Sequence, residues 1–127
     1  MKSVRSMNFR ELREHCLSKH GATETFPFGE TVLVFKVAGK MFALTDIDRL
    51  PLSVSLKCDP SRAVELRDRY LAVQPGYHLN KTHWNTVDLD GSIPAREVRE
   101  WIDHSYDLVV HSLRRADREA LLRGNDI

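Results

Sequence analysis

Residues 31–46 read TVLVFKVAGKMFALTD, and this stretch decides the fold. It contains two runs rich in β-branched and aromatic residues, which are common in strands. Only Ala38 and Gly39 separate the runs, a length suited to a tight hairpin turn. In the first run, alternate residues from Leu33 to Val37 are expected to share one buried face. The stretch therefore predicts two antiparallel strands.

Residues 49–58, RLPLSVSLKC, predict a third strand beside this hairpin. Apolar and polar residues alternate in it, so that Val54 and Leu56 point to one side. The two serines and Lys57 point to the other side, which is expected to be wet. This predicted open sheet face is a first candidate surface for a partner.

Helices are predicted before and after these strands in the chain. Asn8 and Glu11 have the spacing of an N-cap and its return partner at the start of a first helix. Asp59 and Pro60 have the pattern of an N-cap and first residue for a second helix, and Pro94 opens a third. The predicted buried stripe of this longest helix consists of Val98, Trp101, Ile102, Ser105, Val109 and Leu113.

The remaining segments complete the predicted order. Residues 22–30, ATETFPFGE, are predicted to be a turn-rich link because proline and glycine interrupt them. A short strand is expected before the turn at Pro75 and Gly76, a further strand from Trp84 to about Leu89, and a last short helix in ADREALL. The order is thus helix, three strands, helix, two strands and long helix.

This order predicts the fold class. Short turns between consecutive strands favour a mainly antiparallel sheet with the helices packed on one face, which is an α+β fold. The length of 127 residues suits one domain, predicted over residues 8–123. Residues 1–7 are expected to be a flexible leader and residues 124–127 a tail.

The composition narrows the functional classes. No apolar run approaches the ~18 residues of a membrane span, and the N-terminus lacks a secretory signal, so a cytoplasmic protein without membrane contact is expected. Cys16 and Cys58 are isolated and are expected to be reduced and buried. The net charge of +1, from 19 basic and 18 acidic residues, disfavours a protein that binds nucleic acid mainly through phosphates.

Motifs for catalysis are missing from the sequence. The six histidines have no zinc-ligand spacing, and there is no nucleophile elbow or glycine-rich phosphate loop. The sequence therefore predicts no metal site, no cofactor and no enzymatic activity.

Residues 76–91, GYHLNKTHWNTVDLDG, concentrate unusual polar side chains. One interpretation is scaffolding, in which Asn80 and Asn85 hold a turn through their side chains. The other is a binding site, in which Lys81, His83 and Trp84 lie beside Lys57 at the mouth of the open sheet face. The residues alone leave both interpretations open.

Two segments, SVSLKCDP and VQPGYHLNKTHWNTVDLDGSIP, resemble the MmcQ/YjbR family of small bacterial proteins, and the similarity extends from about Met7 to Gly124. The resemblance implies a two-layer sandwich like that of CyaY and frataxin, cytoplasmic location, and DNA binding through two β-hairpin wings. The hairpin at Ala38 and Gly39 would form one wing. The first helix, FRELREHCLSKH, mixes charges of both signs, so iron delivery of the frataxin kind is not expected.

Three functions are therefore weighed. The first is a non-enzymatic DNA-binding or regulatory module, the second a protein-interaction domain that uses the open face, and the third a small-molecule sensor or enzyme of unknown chemistry. The charge balance favours the second over the first, whereas the resemblance favours the first. The candidate contact residues are Lys36, Lys40, Lys57, Tyr77, His78, Lys81, His83 and Trp84. The sequence does not predict the oligomeric state.

Overall fold

One antiparallel sheet of six strands runs through the computed structural model, which describes residues 6–123. The strands are β1 (Ala22–Thr25), β2 (Val32–Val37), β3 (Lys40–Asp46), β4 (Ser53–Lys57), β5 (Val73–Pro75) and β6 (Trp84–Asp88). The helices are α1 (Phe9–Ser18), α2 (Pro60–Arg69), α3 (Ala95–Ser112) and α4 (Arg115–Leu122). The strands lie in the order β1, β2, β3, β4, β6, β5, which confirms the predicted α+β class.

Strand β1 was not predicted. Residues 22–25 were expected to belong to a link, but they pair with β2 from Ala22 opposite Val37 to Thr25 opposite Val34. The strand lies at the sheet edge, and none of its four residues is buried. An edge strand that buries little needs no alternating apolar pattern, so the sequence carries only a weak signal for it. The prediction of a link over these four residues was therefore wrong.

The predicted helix starts are confirmed. The Glu11 N–H donates to Asn8 Oδ1 at 2.8 Å, and the Asn8 N–H donates to Glu11 Oε1 at 3.1 Å. This reciprocal pair satisfies two N–H groups that the first turn of α1 would otherwise leave unpaired. At α2, the Asp59 side chain accepts from the Arg62 N–H, and Pro60 is the first helical residue.

The core lies between the sheet and the helices. All six residues of the predicted α3 stripe are buried, which confirms the helical period read from the sequence. In β3 the pairing changes register, so that Phe35 faces Ala43 and Lys36 faces Met41. Phe42 is the extra residue of this bulge, and both Phe42 and Ala43 are fully buried in the core.

Ser105 fastens α3 to the middle of the sheet. Its hydroxyl donates to the Phe42 carbonyl oxygen at 2.6 Å and accepts from the Lys57 N–H at 2.9 Å. A polar side chain is thus tolerated in the helix stripe because it serves two backbone groups of β3 and β4.

The N-terminal boundary differs from the prediction. Met7 was assigned to a flexible leader, but its side chain is only 2% exposed and packs in the core. Burial of a large apolar side chain stabilises the folded state, and here it holds the residues before α1 against the domain. Residues 1–5 of the predicted leader and the predicted tail lie outside the described residues. Within residues 6–123, no helix is both long and apolar enough to cross a membrane.

The sheet face away from the helices, hereafter the second face, is defined by a row of paired residues. The row consists of Thr25, Val34, Leu44, Ser55, Thr86 and Gln74, because directly paired residues share a face. This face was expected to be wet, but Ser53 and Ser55 are only 4% and 9% exposed. The Tyr77 N–H donates to Thr86 Oγ1 at 2.9 Å, so the loop after β5 folds back over this face. The prediction of an open face was therefore wrong at these serines.

Candidate functional site

Strand register gathers the predicted lysines at one end of the sheet. Strand β2 ends and β3 begins at the Ala38–Gly39 turn, and the antiparallel β4 ends beside it at Lys57. Lys57 pairs with Trp84, where β6 begins. The loop of residues 76–83, hereafter the 76–83 loop, joins β5 to β6 at this same end. This lysine end therefore carries Lys36, Lys40, Lys57 and Lys81.

The two segments that carry the family resemblance, SVSLKCDP and VQPGYHLNKTHWNTVDLDGSIP, meet at the lysine end. The Cys58 N–H donates to the His83 carbonyl oxygen at 2.8 Å, which joins the end of β4 to the 76–83 loop. Beside this contact lies an open cleft of about 400 Å³. The cleft, hereafter the end cleft, is lined by Lys57, Cys58, Asp59, Pro60, Asn80, His83, Trp84 and Leu108. Of the four residues predicted to lie together, Lys57, His83 and Trp84 line this cleft, whereas Lys81 does not.

Several polar residues of the 76–83 loop hold the loop itself. Asn80 Oδ1 accepts from the Thr82 N–H at 2.9 Å and from the His83 N–H at 3.3 Å, as the scaffolding interpretation predicts. The Lys81 ammonium group donates to the Gly76 carbonyl oxygen at 2.8 Å and closes the loop. Lys81 thus holds the loop through its ammonium group, while the residue as a whole remains exposed.

Asn85 was predicted to hold a turn, but it does not lie in one. It lies inside β6 on the helix side of the sheet, where its amide donates to the Ala63 carbonyl oxygen of α2 at 3.3 Å. Among the described residues, its Oδ1 has no hydrogen-bond partner. Asn85 lines a cavity of about 10 Å³ together with His104 and Trp101, a space that suits about one water molecule.

Trp84 is not a free stacking surface, which corrects its predicted role. The residue is only 9% exposed. A Cβ atom added to Gly76 would lie 2.7 Å from the Trp84 Cβ, so the loop backbone packs directly against the tryptophan. Trp84 forms a wall of the end cleft, and burial of its large apolar side chain explains why a tryptophan is placed on the second face.

Tyr77 and His78 lie away from the end cleft and line a groove over the second face. This groove, hereafter the second-face groove, has a volume of about 380 Å³. Its lining residues are Phe28, Val32, Met41, Leu44, Thr45, Asp46, Arg49, Ser53, Ser55, Tyr77, His78 and Leu79. The 76–83 loop contributes to both sites, whereas three predicted contact residues line neither of them: Lys36, Lys40 and Lys81.

Most residues of the second-face groove were not among the residues predicted from the sequence. Phe28 lies in the predicted link and Arg49 in the turn before β4. The exposed aromatic residues in a turn-rich segment were an available signal, because a turn alone has no need of them.

The two cysteines are poor nucleophiles. Both Cys16 and Cys58 are free and buried, as expected. Burial raises the pKa of Cys16 to about 12, and burial also raises the pKa of Cys58. A thiol that stays protonated at neutral pH does not attack as a thiolate. Within the described part of the chain, no three His, Cys, Asp or Glu side chains converge as metal ligands would.

Comparison with known proteins gives one consistent result. A family model described as YjbR matches residues 17–108. The uncharacterized protein YjbR of Escherichia coli strain K12 is 36% identical over 118 residues, which cover 92% of this chain and 99% of that protein. The uncharacterized protein YbdF of Escherichia coli O157:H7 is 35% identical over 99 residues, which cover 78% of this chain and 81% of that protein.

Solved structures agree with these sequence relatives. The crystal structure of Deinococcus radiodurans protein DR2400, with a domain described as DUF419, is 43% identical with a TM-score of 0.87. The match covers 94% of this chain and 91% of that chain. A Pseudomonas syringae crystal structure is 26% identical with a TM-score of 0.70, and it covers 80% of this chain and 98% of that chain.

Proposed function

Since the chain belongs to the YjbR family, as its resemblance to the MmcQ/YjbR proteins predicted, we propose that it is a non-enzymatic regulatory module that binds DNA at the lysine end of its sheet. The observation that carries the proposal is the placement of four lysines at one end of a protein whose total charge is nearly balanced.

The charge distribution supports this proposal better than the total charge does. Four of the five lysines among residues 6–123 lie at the lysine end. At the opposite end of the sheet, Asp46 ends β3 and Asp88 ends β6, and Asp48 and Asp90 follow in the adjoining turns. A cluster of one sign creates a local potential that attracts a polyanion, even when opposite charges elsewhere cancel the sum.

Many of the remaining cations are already neutralised. Side-chain ion pairs join Arg13 to Glu24, Arg62 to Glu100 and Arg115 to Glu119. These arginines offer little net charge to a phosphate. The cations without a carboxylate partner in the described structure, such as Lys40 and Lys57, therefore weigh more in the proposed interface.

Among the acidic residues, Asp59 is the nearest in sequence to a lysine of the proposed interface. Its carboxylate accepts from the Ser61 hydroxyl at 2.7 Å and from the Arg62 N–H at 3.3 Å. These hydrogen bonds hold the pKa of Asp59 below its ordinary value. The charge is directed to the first turn of α2, where the helix dipole favours it.

The β2–β3 hairpin has a shape that suits a DNA groove. Ala38 and Gly39 adopt φ values of +50° and +80°, which gives a tight turn without large side chains. The major groove admits a two-stranded ribbon of this kind. Lys36 and Lys40 flank the turn, so they would reach phosphates on the groove edges and position the ribbon.

The test is fluorescence anisotropy with a labelled duplex, titrated from low to physiological salt. Wild-type affinity should fall steeply with salt, and Lys40→Gln should reduce the log-log slope by about 0.9. Arg69→Gln removes an exposed cation at the far end of α2 and serves as the control, with an unchanged slope. If the wild type does not titrate even at low salt, the DNA proposal is wrong and a protein partner becomes the leading alternative.

A further inference from the structure

We propose that the second-face groove binds a small, flat, uncharged aromatic molecule that carries a hydrogen-bond acceptor. Its volume of about 380 Å³ lies within the ~300–1,000 Å³ of ordinary small-molecule sites. Half of its lining residues are aliphatic or aromatic, and most of the surface that they expose to the groove is apolar, as in other small-molecule sites.

Two exposed aromatic residues from separate loops line the groove. Phe28 precedes β2, whereas Tyr77 follows β5 and lies over the β6 side. Phe28 and Tyr77 are both large apolar residues, yet they are 64% and 63% exposed. Exposed aromatic rings in a groove favour a flat ligand that stacks on them.

The floor of the groove excludes an extended peptide. Its strand residues come from β2, β3 and β4, which are interior strands of the sheet. Interior strands already use their backbone N–H and C=O groups to pair with their neighbours. A peptide strand lying on this face would therefore find no sheet edge with which to pair, and its own backbone groups would remain unsatisfied.

The polar groups of the groove point to an uncharged ligand with an acceptor. Arg49 Nη2 lies 3.6 Å from Asp88 Oδ1, which is too long for a hydrogen bond, so its N–H groups remain available to a ligand. Asp46 also lines the groove. With Asp46 in the lining and Asp88 beside the one guanidinium, the site has no excess positive charge to attract an anion. A carbonyl oxygen would accept from Arg49 without bringing further negative charge.

The wall next to Tyr77 is held in an uncommon backbone conformation. His78 has a φ of +59°, in the left-handed region that non-glycine residues adopt rarely. Its ring lies 4.0 Å from the Tyr77 ring, measured between centroids. The Arg49 guanidinium lies 5.7 Å from the same Tyr77 ring. Uncommon backbone conformations of this kind occur often at ligand-binding sites, and Tyr77, His78 and Arg49 all line the groove.

The experiment compares two probes of equal shape and different charge. Naphthalene-2-carboxamide is uncharged and carries a carbonyl acceptor, whereas 2-naphthoate is an anion at neutral pH. Each is titrated into the ¹⁵N-labelled full-length protein, and amide chemical shifts report both the site and the affinity. We expect the carboxamide to shift the signals of residues 44–55 and 77–79 and to bind more tightly than the naphthoate.

Matched variants test the proposed contacts. Phe28→Ala and Tyr77→Ala should each weaken carboxamide binding by about tenfold, within the range for loss of one stacking ring. Phe26→Ala removes an exposed phenylalanine that does not line the groove and should have no effect. Arg49→Gln should also weaken carboxamide binding. The control is Arg69→Gln, which removes an arginine that lies over the Tyr70 ring and should leave binding unchanged.

Three results would overturn the proposal. They are the absence of shifts in the groove at millimolar carboxamide, equal effects of Phe26→Ala and Phe28→Ala, and tighter binding of the naphthoate than of the carboxamide. All the substituted residues are at least partly exposed, so the variants are expected to fold, and their own amide spectra check this. None of these results depends on DNA binding.

Discussion

The Ser105 hydroxyl donates to the Phe42 carbonyl oxygen at 2.6 Å and thereby joins the middle of α3 to the bulge of β3. The same hydroxyl accepts from the Lys57 N–H, so one side chain serves two strands. We expect Ser105→Ala to lower the free energy of unfolding by about 2 kcal/mol, because it leaves buried backbone groups without a partner. Urea denaturation measures this. Ser112→Ala, an exposed serine of the same helix, should change the midpoint little, and equal effects of the two would contradict the prediction.

Asn80 gives a second prediction, on the 76–83 loop. Asn80→Ala removes the acceptor for the Thr82 and His83 N–H groups and should destabilise the protein by about 1 kcal/mol, as the loss of a side-chain cap does. Asn80→Asp keeps an oxygen acceptor in the same place and should recover most of the loss. If both variants denature at the wild-type midpoint, the loop does not depend on this side chain.

Gly76 gives a third prediction, which concerns close packing. A Cβ atom at this position would lie 2.7 Å from the Trp84 Cβ and 3.0 Å from the Trp84 carbonyl oxygen. Because backbone cannot move aside as a flexible side chain can, we expect Gly76→Ala to cost about 1–3 kcal/mol of stability. Gln74→Ala, on the exposed part of β5, is the control for chemical denaturation. A Gly76→Ala protein as stable as the wild type would mean that the loop can move away from Trp84.

His104 gives a prediction for pH dependence. Burial lowers the pKa of His104 below its ordinary value of 6.5, and the nearby Arg62 guanidinium lowers it further. Its Nε2 accepts from the Asp59 N–H at 3.3 Å, which requires the neutral ring. The unfolded chain therefore binds the proton more readily than the folded protein. The stability that this neutral ring contributes is present above the ordinary pKa and is lost as the pH falls through the folded pKa.

The measurement for His104 is thermal unfolding between about pH 7 and pH 5, the range in which an ordinary histidine gains its proton. The wild type should lose stability over this range, and His104→Gln should lose less. His111→Gln, an exposed histidine of the same helix, should follow the wild-type profile. A His104→Gln profile parallel to that of the wild type would assign the pH dependence to other groups.

Features with a local cause could be predicted from the sequence. The hairpin at Ala38 and Gly39, the capping box at Asn8 and the stripe of α3 each follow from residues a few positions apart. The gathering of Lys57 and His83 was also predictable, because both flank strand ends that meet in one sheet.

Features that depend on distant contacts could not be predicted in the same way. The cover over the second face depends on the bond from the Tyr77 N–H to Thr86 Oγ1 and on the placement of Phe28. Alternation in β4 correctly assigns the serines to this face, but it gives no information on whether a loop then returns over them. The burial of Trp84 also depends on a contact between separate strands, because the Gly76 backbone, just after β5, packs against it.

The 76–83 loop lines both sites, with Tyr77, His78 and Leu79 along the second-face groove and Asn80 and His83 along the end cleft. A ligand that changed the conformation of this loop at one site would alter the free energy of binding at the other site. By thermodynamic linkage this coupling is reciprocal, so the factor by which a groove ligand alters affinity at the cleft equals the factor by which a cleft ligand alters affinity in the groove. The shared loop of eight residues is thus the place where coupling between the two surfaces would arise.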